Sequence, residues 1–225
     1  FSQLPDYCCL VFVYDLIDLY ALVPWDYPDW FLFVMKWGGL LFILLSGICA
    51  TLGHRSVRRG LVVLLCGLVC TAVTYGMYRF GFAGKSIVIY FGVLHCLGTC
   101  MLLWSCFRKL PWWALAILGL ALVALGLYFQ TLTVENPWLF PLGLETSNFV
   151  SSDYFPILPN FGYFLLGAVL GKTLYRRKET LLPGVNPKNP ILRFLQWMGR
   201  QSLWIYLLHQ PVLNGICMLI LEATK

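Results

Sequence analysis

The sequence predicts an all-α, polytopic integral-membrane helix bundle with about seven transmembrane helices, and three observations carry that expectation. First, 60% of the 225 residues are hydrophobic and 12% are charged, with a mean hydropathy of +0.76. Soluble domains hold about 25% charged residues, so this chain cannot cover a water-facing surface. Second, its apolar residues fall into seven runs at or near the roughly 20 residues that a helix needs to cross a bilayer. None alternates apolar with polar as a barrel strand would. Third, the basic residues gather in short segments between the runs. A soluble enzyme, a disordered chain and a nucleic-acid-binding module are excluded. The net charge of +6 reads as membrane topology rather than an acidic partner.

The runs cover residues 7–23, 30–52, 61–78, 87–107, 111–130, 155–175 and 201–222. The first carries Asp15 and Asp18 on one face. The second holds Lys36, seven residues past Asp29, from where its stem can snorkel to the interface. The third follows Arg55, Arg58 and Arg59, with His54 reading as solvated among them. In the fourth, Gly92, His95, Gly98 and Thr99 share a face small enough for a neighbouring helix or an acyl chain to approach closely. Trp112 and Trp113 open the fifth and, with Trp25 and Trp30, form an interfacial belt. In the last, Ser202, Tyr206 and His209 line one face ahead of Gln210 and Pro211, whose ring frees a nearby carbonyl.

Sidedness follows from the cations. Arg55, Arg58, Arg59, Arg108, Lys109, Lys172, Arg176, Arg177, Lys178, Lys188, Arg193 and Arg200 fall in or beside the segments 53–60, 108–110 and 176–200, which are expected to face the cytoplasm. Only Lys36, Arg79, Lys85 and Lys225 lie elsewhere. Segments 24–29, 79–86 and 131–154 are then external, Phe1 cytoplasmic and Lys225 external. The long 131–154 segment, rich in Trp, Phe and Leu, is expected to lie at the interface or fold back over the bundle. Ile191 to Met198 is expected to lie as an amphipathic stretch on the membrane surface. The nine cysteines sit in or at the ends of apolar runs with no CxxC spacing, so neither a disulfide framework nor a metal site is expected. No signal peptide is recognisable. Phe1 stands where a Met would begin the chain, which leaves open an earlier start; residues 1–225 read as one domain.

Titratable groups inside a spanning helix cost about 2.5–3.5 kcal/mol on insertion scales, so each is a candidate for function. At 1.5 Å per residue, His209 lies about 13 Å in from Arg200, His95 about 13 Å in from Ser86, and Asp15 about 13 Å before Pro24. Their similar depth is what a shared buried site produces. The competing reading is structural: His95 bonding between helices, and Asp15 pairing with Lys36 or a Tyr hydroxyl.

Four strings then stand in order: Leu-Leu-Ser-Gly at 44–47, IVIYFGVLHCLG at 87–98, SSDYFPILPNFGYFLLG at 151–167 and MGRQSLWIYLLHQPV at 198–212. Together they resemble the catalytic domain of the heparan-α-glucosaminide N-acetyltransferase family, in its bacterial branch, from about Tyr14 to Val212. The resemblance implies a membrane-embedded acyltransferase that uses acetyl-CoA from the cytoplasmic side and acylates a sugar amine or hydroxyl on the other. It carries His95, Asp153 and His209, together with Gln210 and Arg200, onto the family's polar motif positions, and Asp15 onto the Asp of its first-helix Tyr-Asp-Leu. One departure stands out. The family has a His three residues before that Tyr, and here the position is Val11, one turn from Asp15. The family's Asp-x-x-Arg-Gly start is also absent. These put activity in question more than fold. Seven spans are also fewer than a complete member has, so a partner chain, a second copy or preceding helices would complete the site.

Acyl transfer needs a base for the attacking amine or hydroxyl and donors for the oxyanion that develops. On this reading His209 is the base or a transient acyl carrier, and His95 orients the thioester or holds a second proton. Asp15 or Asp153 fixes a histidine tautomer, and Asp153 alternatively meets the acceptor at the outer mouth. Arg55, Arg58, Arg59 and Arg200 are placed to hold CoA phosphates, although topology alone also accounts for them. The rival reading is a proton-coupled transporter or a non-catalytic relative, because intramembrane Asp and His chains serve that chemistry as well.

Overall fold

The computed structural model describes residues 29–53, 55–81, 88–146, 149, 151, 153–175 and the single positions 193, 194, 197, 201, 203 and 204, with side chains of the first helix described from Trp37 onward. The chain divides into two units, residues 1–38 with 182–225, and residues 39–181. Asp15, Val11, His209 and Arg200, with the first run and nearly all of the last, lie outside the described residues. Within the first unit, Arg193, Phe194 and Trp197 are helical and exposed, and the rings of Phe194 and Trp197 stack 6.2 Å apart.

Five α-helices are described: α1 (Asp29–Leu52), α2 (Ser56–Arg79), α3 (Val93–Phe107), α4 (Trp112–Phe129) and α5 (Ile157–Leu174). A 3-10 helix, Pro137–Leu142, interrupts the link from α4 to α5. These apolar runs become helices because a helix satisfies its backbone polar groups without water. Each break has a local cause. α2 closes on Phe80 and Gly81, whose φ of 77° suits a residue without a β-carbon. Pro111 precedes α4 and Pro156 precedes α5, and the extended backbone at Leu158 is what the following Pro159 ring requires. α2, α4 and α5 are long and apolar enough to cross a membrane. α1 from Trp37 and α3 are shorter apolar helices.

Within the second unit successive helices alternate in direction, and glycines set their spacing. A β-carbon on Gly98 of α3 would stand 2.7 Å from the Leu64 amide of α2, and one on Gly60 3.0 Å from the Gly98 carbonyl. Gly126 of α4 lies against Pro159 of α5, while Gly119 and Gly162 face each other. Gly47 of α1 lies on the Phe164 carbonyl of α5, and Gly167 on the Leu44 carbonyl. Van der Waals contact at such small-residue crossings is what holds helices together where lipid removes the hydrophobic drive. The remaining faces are apolar and outward: Leu65 and Val69 on α2 are 59% and 58% exposed, and Ile117 on α4 is 64% exposed.

One sequence expectation changes here and another is narrowed. The run 87–107 is not one helix: residues 88–92 are extended, Phe91 bridges Tyr154 in parallel, and α3 starts at Val93. His95 therefore sits in the first turn of α3 rather than deep along a helix. The extended stretch is tolerated because other elements satisfy its backbone. Thr71 of α2 donates to the Ile89 carbonyl at 2.7 Å, and Thr74, one turn on, accepts from the Ile89 amide at 3.2 Å. The 131–154 segment does fold back. Phe140 of its 3-10 helix meets Tyr90 and Phe91, and Gly143, with φ at 98°, has no room for a β-carbon beside the Leu158 carbonyl.

Candidate functional site

The start of α3 leaves amide N–H groups without partners in the helix, and their positive end favours an anion. The chain supplies one from far away. Residues 153–156 lie beside 88–92, joined by the Phe155 amide to the Phe91 carbonyl at 3.0 Å. Ser151 Oγ accepts from the Tyr90 amide at 3.3 Å and lies 2.9 Å from the Asp153 carbonyl. That pairing brings Asp153 to α3, where Oδ2 accepts from the Val93 amide at 2.9 Å. The carboxylate fits only because residue 92 is glycine, as a β-carbon there would collide with Oδ2.

His95 occupies the third position of the same turn and is 4% exposed. Its Nδ1 accepts from the Gly92 amide at 3.3 Å, in the manner of the reciprocal residue of a capping box. Its Nε2 lies 3.3 Å from Thr71 Oγ1. Gly67 of α2 covers one side, where a β-carbon would stand 3.0 Å from the ring, and Phe91 lies 5.4 Å from the imidazole centre at a tilt of 32°. Cys96, one residue on, points its thiol at the Pro156 carbonyl, 3.7 Å away. An aromatic cluster of Tyr90, Phe140, Phe149 and Tyr154 surrounds the corner. Tyr154 donates from its hydroxyl to the Phe140 carbonyl at 2.6 Å; burial first and the Glu145 carboxylate second push that phenol above its ordinary value.

Of the residues singled out in the sequence, His95 and Asp153 thus meet around Gly92 and Val93. Asp15, His209 and Arg200 lie outside the described residues. Arg55, Arg58 and Arg59 are exposed at the start of α2. Because α2 and α3 are antiparallel, these arginines share an end of the unit with Arg108, Lys109 and Lys172, roughly 20 Å along α3 from His95. At that end Lys172 donates from Nζ to the Arg108 and Leu110 carbonyls at 2.8 and 2.7 Å, and stands 5.6 Å from the Trp104 ring centre. Among the described residues no three His, Cys, Asp or Glu side chains gather as a metal-binding group.

Sequence reasoning singled out Gly92 but did not find Thr71, Thr74, Ser151 or Gly67, which frame the corner with it. The available signal was the Thr71 and Thr74 pair, two hydroxyls one turn apart in an apolar helix, and Ser151 two residues ahead of Asp153.

No curated protein and no solved structure matches the chain. A family model described as heparan-alpha-glucosaminide N-acetyltransferase, catalytic, matches residues 9–211, which include His95, Asp153 and His209. With most of the chain covered, the protein is a member of the heparan-alpha-glucosaminide N-acetyltransferase catalytic family, whose members are transmembrane acyltransferases.

Proposed function

We propose that the protein is a multi-pass enzyme of the cell membrane that moves an acetyl or other acyl group from cytoplasmic acetyl-CoA to a sugar amine or hydroxyl on the outer side. The observation that carries this is the family match across residues 9–211. Two arrangements support it. Arg55, Arg58 and Arg59 share one end with the other described cations of the second unit except Arg79, which suits CoA phosphates and the cytoplasmic face alike. At the opposite end of α3, His95 and Asp153 gather at one buried corner.

In this reading His209 takes the proton of the attacking amine or hydroxyl, or carries the acyl group itself, and Asp15 fixes a histidine tautomer. His95 orients the thioester or holds the second proton, and Asp153 keeps the corner in place or meets the acceptor. Arg200 is a further candidate to hold CoA phosphates. A sugar or polysaccharide is the acceptor class, the bilayer is the solvent, and a second copy or partner chain completes the bundle.

The decisive experiment follows radiolabelled acetyl from acetyl-CoA to the purified protein and to amino-sugar and sugar acceptors, for wild type beside His209→Ala and His95→Ala. Transfer by the wild type and its loss in His209→Ala, with the variant still inserted and folded, is the expected result. Unchanged turnover in His209→Ala would remove that residue from the chemistry. Val11, standing where the family has a His, favours the second reading, a proton-coupled transporter or non-catalytic relative. That reading gains if the wild type neither transfers acetyl nor gains thermal stability from acetyl-CoA, as a specific site would by mass action.

A further inference from the structure

The hydrogen bonds around His95 determine which of its nitrogens carries the proton. The Gly92 amide can only donate, so Nδ1, 3.3 Å away, must accept and is bare. On the other side, Thr71 has one hydroxyl proton, and it goes to the Ile89 carbonyl at 2.7 Å, a group that can only accept. Thr71 Oγ1 therefore has only lone pairs to offer His95 Nε2 at 3.3 Å, and Nε2 must be the N–H. The two constraints come from different elements, the α3 turn and α2, and they agree. They leave the ring neutral, with its basic lone pair on the side of Gly92, the residue against which Asp153 Oδ2 rests.

We propose that Thr71 is a positioning residue for acyl transfer, locking His95 as the Nε2–H tautomer so that Nδ1, beside Gly92 and Asp153, is the nitrogen whose lone pair can take up a proton, releasing the Gly92 amide as it does so. As a statement about catalysis this rests on the acyltransferase reading; as a statement about the ring it rests on three hydrogen-bond distances. The linkage extends further. Ile89 precedes the corner by three residues, and the same hydroxyl that orients the imidazole pins Ile89 to α2. Thr74 pins the Ile89 amide but has no bond to His95, so it separates the clasp from the tautomer.

The test uses the full chain in nanodiscs with nitrogen-15-labelled histidine. Imidazole spectra distinguish a pyrrole-type N–H from a pyridine-type bare nitrogen, and His54→Gln with His209→Gln leave the His95 signals by elimination. Wild type, Thr71→Ser and Thr74→Val should all show a pyrrole-type Nε2 and a pyridine-type Nδ1. Thr71→Val should show mixed tautomers and a fast-exchanging Nε2 proton. Acetyl transfer should fall about 10- to 100-fold in Thr71→Val, the range expected for a misplaced catalytic group, and return in Thr71→Ser. A wild-type proton on Nδ1 would overturn the assignment of the tautomer, and a Thr71→Val spectrum identical to wild type would overturn Thr71 as its lock. The expected spectra with unchanged transfer would overturn the positioning role. A wild type with no transfer at all would sink the acyltransferase reading and that role with it, while the spectra still decide the tautomer.

Discussion

Asp153 accepts a hydrogen bond from the amide of Val93, 60 residues earlier in the chain, and so caps the helix that carries His95. Substitution separates its geometry from its charge. Asp153→Ala should lower stability by about 1–2 kcal/mol, the usual loss for a removed helix cap. Asp153→Asn keeps an oxygen on the Val93 amide and should recover much of that loss, yet it should still reduce acetyl transfer. Thermal unfolding in detergent beside a transfer assay reads both; equal stability in all three proteins would show that the cap contributes little.

The crossing of α2 and α3 leaves no space at Gly98. Gly98→Ala puts a methyl against Leu64 backbone atoms, 2.7 Å from the amide and 2.9 Å from Cα, so the helices must part. The expected loss is about 1–3 kcal/mol, the range for overpacking. Gly76, on the same helix as Leu64, has nothing within 4 Å of its missing β-carbon. Gly76→Ala should be neutral or stabilising by up to about 1 kcal/mol. Protease resistance in micelles would rank the two.

Lys172 ties the end of α5 to the α3–α4 turn through two carbonyls and the Trp104 ring. Lys172→Met keeps the stem but loses those bonds, and should cost about 1 kcal/mol. The turn at 108–110 should become more open to proteases, with wild-type cleavage there overturning the role of the clamp.

Tyr154 predicts a pH dependence. Its phenol is raised in the fold, by burial first and Glu145 second, above an unfolded value of about 10. The neutral form is the one that the fold holds, so this stabilisation is whole below pH about 10 and is lost as pH rises beyond it. Wild type should therefore lose stability more steeply than Tyr154→Phe above pH about 10. Near neutrality the variant should be the weaker by about 1 kcal/mol, for the lost bond to Phe140. Melting curves from pH 7 to 11 test both arms; parallel curves would refute the first.

The arginines at the start of α2 make a kinetic prediction. Replacing Arg55, Arg58 and Arg59 by Gln should raise KM for acetyl-CoA about tenfold and leave kcat within about twofold, as removal of uniform binding does. A fall in kcat with KM unchanged would point to misfolding or to chemistry instead.

Much of the fold could be read from the sequence because lipid leaves an apolar run few alternatives to a helix. The runs 30–52, 111–130 and 155–175 agree with α1, α4 and α5 to within a residue or two at each end. The run 87–107 misled because Val88, Ile89, Tyr90 and Phe91 are as apolar in an extended strand as in a helix. What decides between the two is the set of hydroxyls on Thr71, Thr74 and Ser151, and no local pattern reveals that partnership. His95 was visible as a polar group among apolar neighbours, and Asp153 through the resemblance of the SSDYF string. Thr71 was not, because a helical Thr ordinarily bonds a carbonyl of its own preceding turn, as Thr173 does with Val169.

The pairing of Phe91 with Tyr154 and Phe155 also imposes an order on biogenesis. A nascent chain has already made α3 and α4 before Ser151, Asp153 and Tyr154 exist, so the first turn of α3 is synthesised without its carboxylate. The corner around His95 can close only when the start of α5 arrives. Premature termination or a frameshift between α4 and Ser151 therefore leaves the imidazole beside an uncapped helix, and it removes the candidate site while sparing the α2–α3 hairpin.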